Sequence, residues 1–366
     1  MKVRVGVLVG GASSERDISL ASGRMIAEHL PRERYEVVVL DTLALMAAHP
    51  RLSPQLRERA LALVTGGAGP HAVPEGDAAL PADLREQIRM TADAAVPATA
   101  ALATGGATRK IDVAFVALHG PYGEDGTVQG LLELIGIPYV GSGVLASALA
   151  MDKAMARTVL AAAGVPVPRG IVVERAAFAA DPEGEAGRAA PHVPAVVKPV
   201  REGSSIGMSL VPETSAIRPS LEEAFRYDTR ALVEERVMGT ELTVGLIGNR
   251  DLLALPVVEI VPKRAFFDYR AKYDPALADE ICPARIPEAL ASAAQQLAVR
   301  AHRALECRGL SRVDMIHGSD GLVVLEVNTI PGMTVNSLLP RAARAAGMSF
   351  SELLDRLVQL ALETDN

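Results

Sequence analysis

The sequence predicts a mixed α/β protein that opens on a parallel sheet and continues into antiparallel layers. Three observations support this prediction: an apolar strand, turn, helix and strand at the start, later strands that follow one another without helices between them, and a hairpin near the C-terminus. The chain has 366 residues, of which 49% are hydrophobic and 22% are charged. That length suits two or three domains of roughly 100–200 residues each.

The first strand covers residues 3–11 and ends in a glycine turn. Residues 18–30 carry helical periodicity, and a second strand follows at residues 35–41, which is the opening of a parallel sheet. Residues 65–110 are rich in Gly, Ala and Pro, and we interpret them as an insertion or a flexible connection. A buried strand returns at residues 112–120, and a helix, a short strand and a glycine loop then close the first domain.

The second half of the chain begins with residues 148–168, which predict one Ala/Leu helix ended by Gly164 and Pro166. Two strands follow, at residues 170–173 and 194–200, joined by a low-complexity stretch around residues 181–190. The later elements are two strands around a turn at Gly239, a helix at 287–306, a hairpin that turns at 318–321, and an amphipathic helix at 350–364.

The composition of the chain excludes several classes of function. The net charge of −7 offers no basic surface for nucleic acid or an anionic membrane. No run reaches the ~18 apolar residues of a membrane helix, and the apolar N-terminal stretch is too short for a signal peptide. Cys282 and Cys307 form no CxxC pair, so we expect neither a disulfide framework nor a zinc site. A reducing cytoplasm fits this cysteine usage.

The predicted hairpin carries a polar set at strand spacing. Arg312 and Asp314 are two apart on its first strand, and Glu326 and Asn328 are two apart on its second. Alternation puts each pair on one face, and the hairpin brings the pairs together if its register is correct. Carboxylate and amide oxygens suit a hard cation such as Mg²⁺. A solvent-exposed polar face is the alternative, although the apolar residues 323–327 favour burial.

A second candidate site is the segment "VVKPVREGSSIGMS" at residues 196–209. Its lysine, Lys198, ends an apolar run and precedes the Gly/Ser loop, whereas a P-loop places its glycines first. No Walker A motif exists in the chain. Only six basic residues are Lys and 31 are Arg, so the remaining lysines are candidates for a specific role. The alternative is a surface lysine without function.

The third candidate is the turn "TIPGMTVNSLLP" at residues 329–340. Backbone amides near Gly332, together with neighbouring hydroxyls and amides, are able to hold a carboxylate before the next helix. An ordinary loop explains the same residues equally well.

Six segments, in family order and spacing, resemble the D-alanine–D-alanine ligases of the ATP-grasp superfamily, and the resemblance extends over nearly the whole chain, with weak coverage at residues 44–109 and 178–194. They are "GGASSERDIS", "LHGPYGEDGTVQG", "GSGVLASALAMDK", the Lys198 segment, "FFDYRAKY", and "RVDM" with "LEVNTIPGMTVNSL". The resemblance implies a three-domain ATP-grasp fold with a Rossmann-like N-terminal parallel-sheet domain and two α+β lobes that enclose ATP. We place the N-terminal domain at 1–142, the central lobe at 143–233 and the C-terminal lobe at 234–366.

The resemblance also implies an ATP site in which lysines project from strands onto the phosphates and a Gly/Ser loop closes above them. Glu234 is expected on the adenine side and Glu241 at the ribose hydroxyls. The implied ATP-binding residues are Lys153, Lys198, Ser205, Gly207, Glu234, Glu235, Val237 and Glu241.

The implied metal ligands are Asp314, Glu326 and Asn328, which would hold two divalent ions, Mg²⁺ or Mn²⁺, with Glu326 bridging the two. K⁺ is left open as a further ion. The implied substrate contacts are Ile18, His119, Gly332 and Leu338. The implied catalytic residues are Glu15, Ser204, Lys272, Tyr273, Arg312 and Ser337, among which Glu15, Ser204 and Tyr273 form a hydrogen-bonded link across the closed site. Residues 264–280 are expected to form a lid.

The implied activity is the ATP-dependent joining of two D-alanines through a D-alanyl phosphate, for peptidoglycan synthesis, by a cytoplasmic enzyme that is typically dimeric. Two alternatives stay open. One is a sister ligase that makes D-alanyl-D-lactate or D-alanyl-D-serine. The other is a nucleotide-binding relative without catalysis, which is expected to lack a lysine, an arginine or a metal ligand of the set above.

Overall fold

Three sheets organise the protein in a computed structural model that describes residues 2–11, 15–42, 111–262 and 278–363. One sheet is parallel and two are antiparallel, which confirms the mixed α/β class. The insertion at 65–110 and most of the expected lid, with Lys272 and Tyr273, lie outside the described residues.

The first sheet has the strand order β2-β1-β3-β4, and every pair in it is parallel. Its central strands are apolar almost throughout, because helices and the rest of the chain cover both faces. Its elements are β1 (Val3–Val9), α1 (Arg16–His29), β2 (Tyr35–Asp41), β3 (Val113–Val116), α2 (Thr127–Leu134) and β4 (Tyr139–Val140).

The second sheet is antiparallel, with the order β5-β8-β6-β7. Val197 and Val233 on two of its strands pack against Leu221 of a covering helix. Its elements are α3 (Val144–Met151), α4 (Lys153–Ala162), β5 (Gly170–Glu174), α5 (Arg175–Ala180), α6 (Pro182–Ala189), β6 (Ala195–Pro199), β7 (Ser209–Val211), α7 (Ile217–Ala224) and β8 (Arg230–Glu235).

The third sheet is also antiparallel, with the order β12-β11-β9-β13-β14 and β10 paired to β9. Its elements are β9 (Gly239–Gly248), β10 (Leu253–Ala254), β11 (Val258–Pro262), β12 (Ala278–Ile281), α8 (Glu288–Ala304), β13 (Gly309–Gly318) and β14 (Gly321–Asn328). Two helices end the described chain, α9 (Leu338–Ala345) and α10 (Phe350–Leu362).

The last helix, α10, packs on the first sheet. Its buried Leu353, Leu357 and Val358 share one apolar core with Val7 of β1 and Phe115 of β3. Polar contacts reinforce the junction: Tyr35 Oη donates to Asp355 Oδ1 at 2.5 Å. A Ser349 and Glu352 capping box starts this helix. The core of the N-terminal domain therefore includes residues from the end of the chain.

The expected single helix at 148–168 is wrong, because the chain breaks at Asp152. This residue is extended (φ −86°, ψ 95°), and its carboxylate accepts a hydrogen bond from Met155 N at 3.1 Å, which caps α4. Lys153 is consequently the first residue of a helix and not a strand residue. The low-complexity stretch at 181–190 is also helical, because Asp181 caps α6 and Pro182 occupies its first turn.

The two strands flanking Gly239 do not form one hairpin. β8 belongs to the second sheet and β9 to the third, so the chain crosses between sheets at residues 236–238. The proposed boundary at 233/234 lies inside β8. A Cβ at Gly239 would lie 2.0 Å from the His317 carbonyl oxygen, because Gly239 pairs with Gly318 across β9 and β13. The crossing therefore needs glycine where β9 begins.

Gly239→Ala is expected to lower the free energy of unfolding by about 1–3 kcal/mol, because the added methyl overlaps a backbone oxygen. Gly187→Ala is the matched control: it lies inside α6, and its Cβ would meet nothing within 4 Å. There the same change should stabilise the protein by up to about 1 kcal/mol. Urea unfolding measures both variants, and destabilisation of equal size at the two positions would contradict the clash.

Candidate active site

A cavity of about 450 Å³ lies between the second and third sheets. Its walls include residues of β6 and β8 on one side and of β11, β13 and β14 on the other. Twelve of the predicted site residues line it: Lys153, Lys198, Ser204, Ser205, Glu234, Glu235, Val237, Glu241, Arg312, Asp314, Glu326 and Leu338.

Lys198 stands on β6 and forms a buried ion pair inside this cavity. Its Nζ lies 2.6 Å from Glu234 Oε2 on the neighbouring strand β8, and Arg157 Nε lies 3.8 Å from the other oxygen of that carboxylate. Burial alone would lower the pKa of Lys198, but Glu234 outweighs it and raises that pKa above its usual value. Lys198 is therefore held as a cation. Two of the predicted ATP-binding residues pair with each other here.

Lys153 reaches the same wall from the start of α4. Its Nζ donates to the carbonyl of Glu202, and its backbone N–H donates to the Val200 carbonyl at 3.1 Å. These bonds place the lysine against the Gly/Ser segment, which we call the phosphate loop (residues 201–207).

Glu235 is another predicted ATP contact. Its carboxylate accepts a hydrogen bond from the Arg169 guanidinium at 2.9 Å.

The phosphate loop has an unusual backbone. Ser204, Ser205 and Gly207 all have positive φ values, of 48°, 60° and 68°. Left-handed geometry is strained for a serine, and such strain concentrates at functional sites. This left-handed geometry turns Ser204 toward the first domain. There the Ser204 hydroxyl donates to the buried carboxylate of Glu15, just before α1. The structure thus brings together two of the three residues of the predicted link, and the third, Tyr273, lies outside the described residues.

The polar hairpin faces the lysines across the cavity. In β13 and β14, Arg312 pairs with Asn328 and Asp314 pairs with Glu326, so the two predicted pairs lie together. A register shift between Asp314 and Met315 sets this alignment. Arg312 binds Asp314 through two hydrogen bonds of 2.8 and 2.7 Å, and Thr243 Oγ1 donates to the same carboxylate at 2.6 Å. The amide oxygen of Asn328 accepts from the Ile330 N–H at 2.9 Å.

The donors on this hairpin fit a hard divalent cation. Asp314 and Glu326 supply carboxylates and Asn328 an amide oxygen, and Mg²⁺ prefers a few such oxygens together with phosphate and water. Within the described ranges no three His, Cys, Asp or Glu side chains cluster as a metal site.

The predicted substrate residues lie at two places. Gly332, Ser337 and Leu338 are close together before and at the start of α9, and the hydroxyls of Ser337 and Thr334 lie 2.8 Å apart. Ile18 is buried in the first turn of α1. His119 is buried after β3, and burial lowers its pKa, with Glu15 acting against that shift. His119 is therefore neutral.

Two family models match the chain, "D-ala D-ala ligase N-terminus" over residues 4–142 and "D-ala D-ala ligase C-terminus" over residues 159–359. The chain belongs to the D-alanine–D-alanine ligase family. A D-alanine–D-alanine ligase of Syntrophobacter fumaroxidans is 43% identical over 364 residues, which cover 99% of this chain and 98% of that protein.

Two solved structures extend the comparison. The VanG D-Ala:D-Ser ligase from Enterococcus faecalis is 30% identical with a TM-score of 0.75, and the match covers 99% of this chain and 100% of that one. A Bacillus anthracis D-alanine–D-alanine ligase complexed with ATP is 29% identical with a TM-score of 0.68, covering 98% and 97%. These matches confirm the ATP-grasp fold expected for a D-alanine–D-alanine ligase. In the part of the chain that the structure describes, no helix is long and apolar enough to cross a membrane.

Glu124 is a site residue that the sequence reasoning missed, although it lies in the segment "LHGPYGEDGTVQG" five residues after His119. Its Oε2 accepts a hydrogen bond from Gly120 N at 2.7 Å. Burial raises the pKa of Glu124 to about 8, and the negative charges of Glu15 and Glu326 add to that effect. The influence of these two carboxylates on its pKa indicates that Glu124 lies near predicted site residues.

Glu124→Gln is expected to flatten the pH dependence of stability. The folded-state pKa of Glu124 is raised to about 8 from the ordinary 4.5. The contribution of this group to the free energy of unfolding is therefore fully present below pH 4.5 and is lost as the pH rises through 8. Between pH 5 and 8, the free energy of unfolding of the wild type should fall by at least about 1.4 kcal/mol relative to the variant. Urea unfolding in EDTA measures this. Glu33→Gln, at an exposed position, is the control, and parallel curves for wild type and Glu124→Gln would contradict the prediction.

Proposed function

We propose that the protein joins two D-alanines into D-alanyl-D-alanine at the expense of ATP, as its relatives are named for doing, and so serves peptidoglycan synthesis. The observation that carries the proposal is the cavity between the two antiparallel sheets. It holds Lys153 and Lys198 on one wall and the Asp314 and Glu326 carboxylates on the other. Such a pairing of cations with oxygen donors is what a nucleotide triphosphate and its metal require.

The first step forms an acyl phosphate. An oxygen of the first D-alanine's carboxylate attacks the γ-phosphorus of ATP, the bond from that phosphorus to the bridging oxygen breaks, and ADP leaves. Phosphoryl transfer depends on positioning and charge neutralisation, which Lys153, Lys198 and Arg312 are placed to supply. We assign Glu15 to the ammonium of this first D-alanine, because its buried carboxylate is oriented by Ser204.

In the second step the neutral amine of the second D-alanine attacks the acyl carbon. The bond from that carbon to the phosphate oxygen breaks, inorganic phosphate leaves, and the nitrogen loses a proton. We assign Arg312 to the charge that develops on the carbonyl oxygen. Gly332, Ser337 and Leu338 are assigned to the carboxylate of the second D-alanine, with His119 and Ile18 near the first.

Asp314, Glu326 and Asn328 would hold the divalent cations, two Mg²⁺ or Mn²⁺ ions. When bound, these ions neutralise phosphate charge and polarise the transferred group. The Arg312 guanidinium donates a hydrogen bond to each oxygen of Asp314, and these two bonds orient the Asp314 carboxylate on the cavity wall.

Glu234 and Glu241 are assigned to the adenine and ribose ends of ATP. Glu235, at the end of β8, and Val237, on the crossing from β8 to β9, are assigned to the stretch between them. The ion pair between Lys198 and Glu234 supports a further role for the Glu234 carboxylate, which is to orient Lys198. Ser205 and Gly207 are assigned to the loop that covers the phosphates, and Lys272 and Tyr273 to the lid.

The test is D-alanine-dependent release of phosphate and ADP, with the product identified by mass spectrometry. D-alanine, D-serine and D-lactate are offered as second substrates near neutral pH, since the similarity to a D-Ala:D-Ser ligase favours serine as the second candidate. We expect D-alanyl-D-alanine as the main product. A depsipeptide or a D-serine product would assign the sister activity, and ATP binding without turnover would assign the non-catalytic role.

We further propose a cytoplasmic homodimer, with K⁺ as an open additional ion. Light scattering should give twice the chain mass of 38.4 kDa. A mass of one chain would contradict the dimer. The domain limits 1–142, 143–233 and 234–366 stay a proposal, and the crossing at residues 236–238 argues for a junction of the last two domains a few residues after the proposed 233/234 limit.

A further inference from the structure

The phosphate loop is attached at both ends to one turn, residues 227–228. At its start, the backbone N–H of Arg201 donates to Asp228 at 2.9 Å, and the Arg201 guanidinium donates to the same carboxylate at 2.6 and 3.1 Å. At its end, a Cβ on Gly207 would lie 2.6 Å from the ring of Tyr227, so this residue packs directly on the turn.

Asp228 is a buried anion inside this arrangement. Its side chain is 2% exposed, whereas that of Arg201 is 53% exposed. It also accepts from the N–H groups of Thr229 and Arg230, at 2.6 and 3.3 Å. Burial alone would raise the pKa of Asp228, but Arg201 and these amides lower it below its usual range. The charge that Asp228 carries is therefore matched mainly by the residue at the start of the loop.

The turn that carries Asp228 is itself fixed. The Asp228 N–H donates to the Ala224 carbonyl at the end of α7, at 3.3 Å. From the other side, the Arg175 guanidinium donates to the carbonyls of Phe225 and Asp228. An arginine that binds the last carbonyls of a helix stabilises its end. These hydrogen bonds fix the turn at residues 227–228, and the phosphate loop is attached to this fixed turn.

The same turn is also connected to Lys153. Arg230, two residues after Asp228, binds Asp152, whose carboxylate caps the helix that starts with Lys153. The carbonyl of Arg230 accepts from the Val200 N–H at 3.1 Å, directly before the loop. The loop and the lysine therefore take their positions from one set of contacts, and its charged members, Asp152, Arg201, Asp228 and Arg230, are not assigned to bind a substrate.

We propose that Asp228 is a positioning residue for the ligation reaction, acting through Arg201 to hold the phosphate loop where Ser204 reaches Glu15 and the Glu202 carbonyl reaches Lys153. This rests on the proposed function. Neither Arg201 nor Asp228 lines the cavity, so any effect of changing them on catalysis passes through the loop.

Asp228→Asn keeps the shape of the side chain and removes its charge, and Arg201→Ala removes the partner. Each should lower kcat by about 10- to 150-fold, the equivalent of one lost hydrogen bond to a charged group. The affinity for ADP should be nearly unchanged. Arg226→Ala is the matched control: it lies in the same turn, pairs with Glu223 at the surface at 2.9 Å, and should behave as wild type.

A double-mutant cycle separates positioning from general destabilisation. If Asp228 acts by placing Ser204, then Ser204→Ala should cost much less activity in the Asp228→Asn protein than in the wild type. Equal costs in the two backgrounds would show that the residues act independently, and the proposal would be wrong.

Hydrogen exchange tests the loop without relying on turnover. The N–H groups of Ile206 and Met208 donate within the loop to the carbonyls of Gly203 and Ser205. In the ligand-free protein, Asp228→Asn and Arg201→Ala should accelerate exchange at these two amides, while Arg226→Ala should not. Unchanged exchange in Asp228→Asn would overturn the positioning role, whereas a wild type without ligase activity but with the expected exchange would overturn only the proposed function.

Discussion

Glu326→Gln should remove most of the ligase activity and leave the fold intact. Glu326 faces Asp314 across the β13–β14 hairpin, so the change takes one of two carboxylates from the proposed metal ligands. Glutamine has the same shape but no charge, and the loss of transition-state stabilisation should be about 4 kcal/mol, roughly a thousandfold in kcat/KM. Turnover against Mg²⁺ concentration measures it, together with the Mg²⁺ dependence of ADP binding.

Asp320→Asn is the control for this substitution, because Asp320 lies exposed at the turn of the same hairpin. It should leave both the activity and the Mg²⁺ dependence unchanged. If Glu326→Gln turns over at a near-normal rate in saturating Mg²⁺, Glu326 is not a metal ligand.

Lys198→Gln should have the second largest effect, on activity and on stability together. Among the residues that the structure describes, the change leaves the buried Glu234 with the more distant Arg157, at 3.8 Å, as its one ionic partner. Breaking a buried pair from one side costs about 3–5 kcal/mol of stability. Removing the cation should also lower kcat/KM for ATP by about 100-fold or more.

The double variant Lys198→Gln with Glu234→Gln separates the two effects. It removes both charges, so no buried carboxylate is left with a missing partner, and most of the stability lost in the single variant should return. Activity should stay low, because the cation that faces the phosphates is still absent. Recovery of activity along with stability in urea unfolding would show that Lys198 serves the fold and not the nucleotide.

The features that were predicted correctly from sequence are mostly local. The shared hairpin of Asp314 and Glu326 follows from strand alternation and a short turn, both contained within about 20 consecutive residues. Their direct opposition also needs the register shift between Asp314 and Met315, because counting from the turn would place Leu325 opposite Asp314. The opening strand, helix and strand follow from periodicity alone. The break before Lys153 was missed because an Ala/Leu run dominates the helical pattern, although Asp152 three residues before the Met155 N–H is an ordinary capping signal.

The features that were missed depend on contacts between distant residues. Nothing in the short span around Gly239 shows that β8 and β9 join different sheets, because their partners β6 and β13 lie far apart in the sequence. The environment of Glu124 likewise comes from Glu15 and Glu326, which are brought close only by the fold. The pairing of Asp228 with Arg201 spans 27 positions and crosses a helix.

The helix α10 has a consequence for how the protein is made. A ribosome releases the chain from its N-terminus, so β1, β2 and β3 emerge long before the leucines of α10 that cover their sheet. Until residue 358 has emerged, one apolar face of the first sheet stays open, and the N-terminal domain cannot finish its core. A nascent chain stopped short of α10 should therefore bind chaperones and resist folding, even though all four strands of that sheet have already been synthesised.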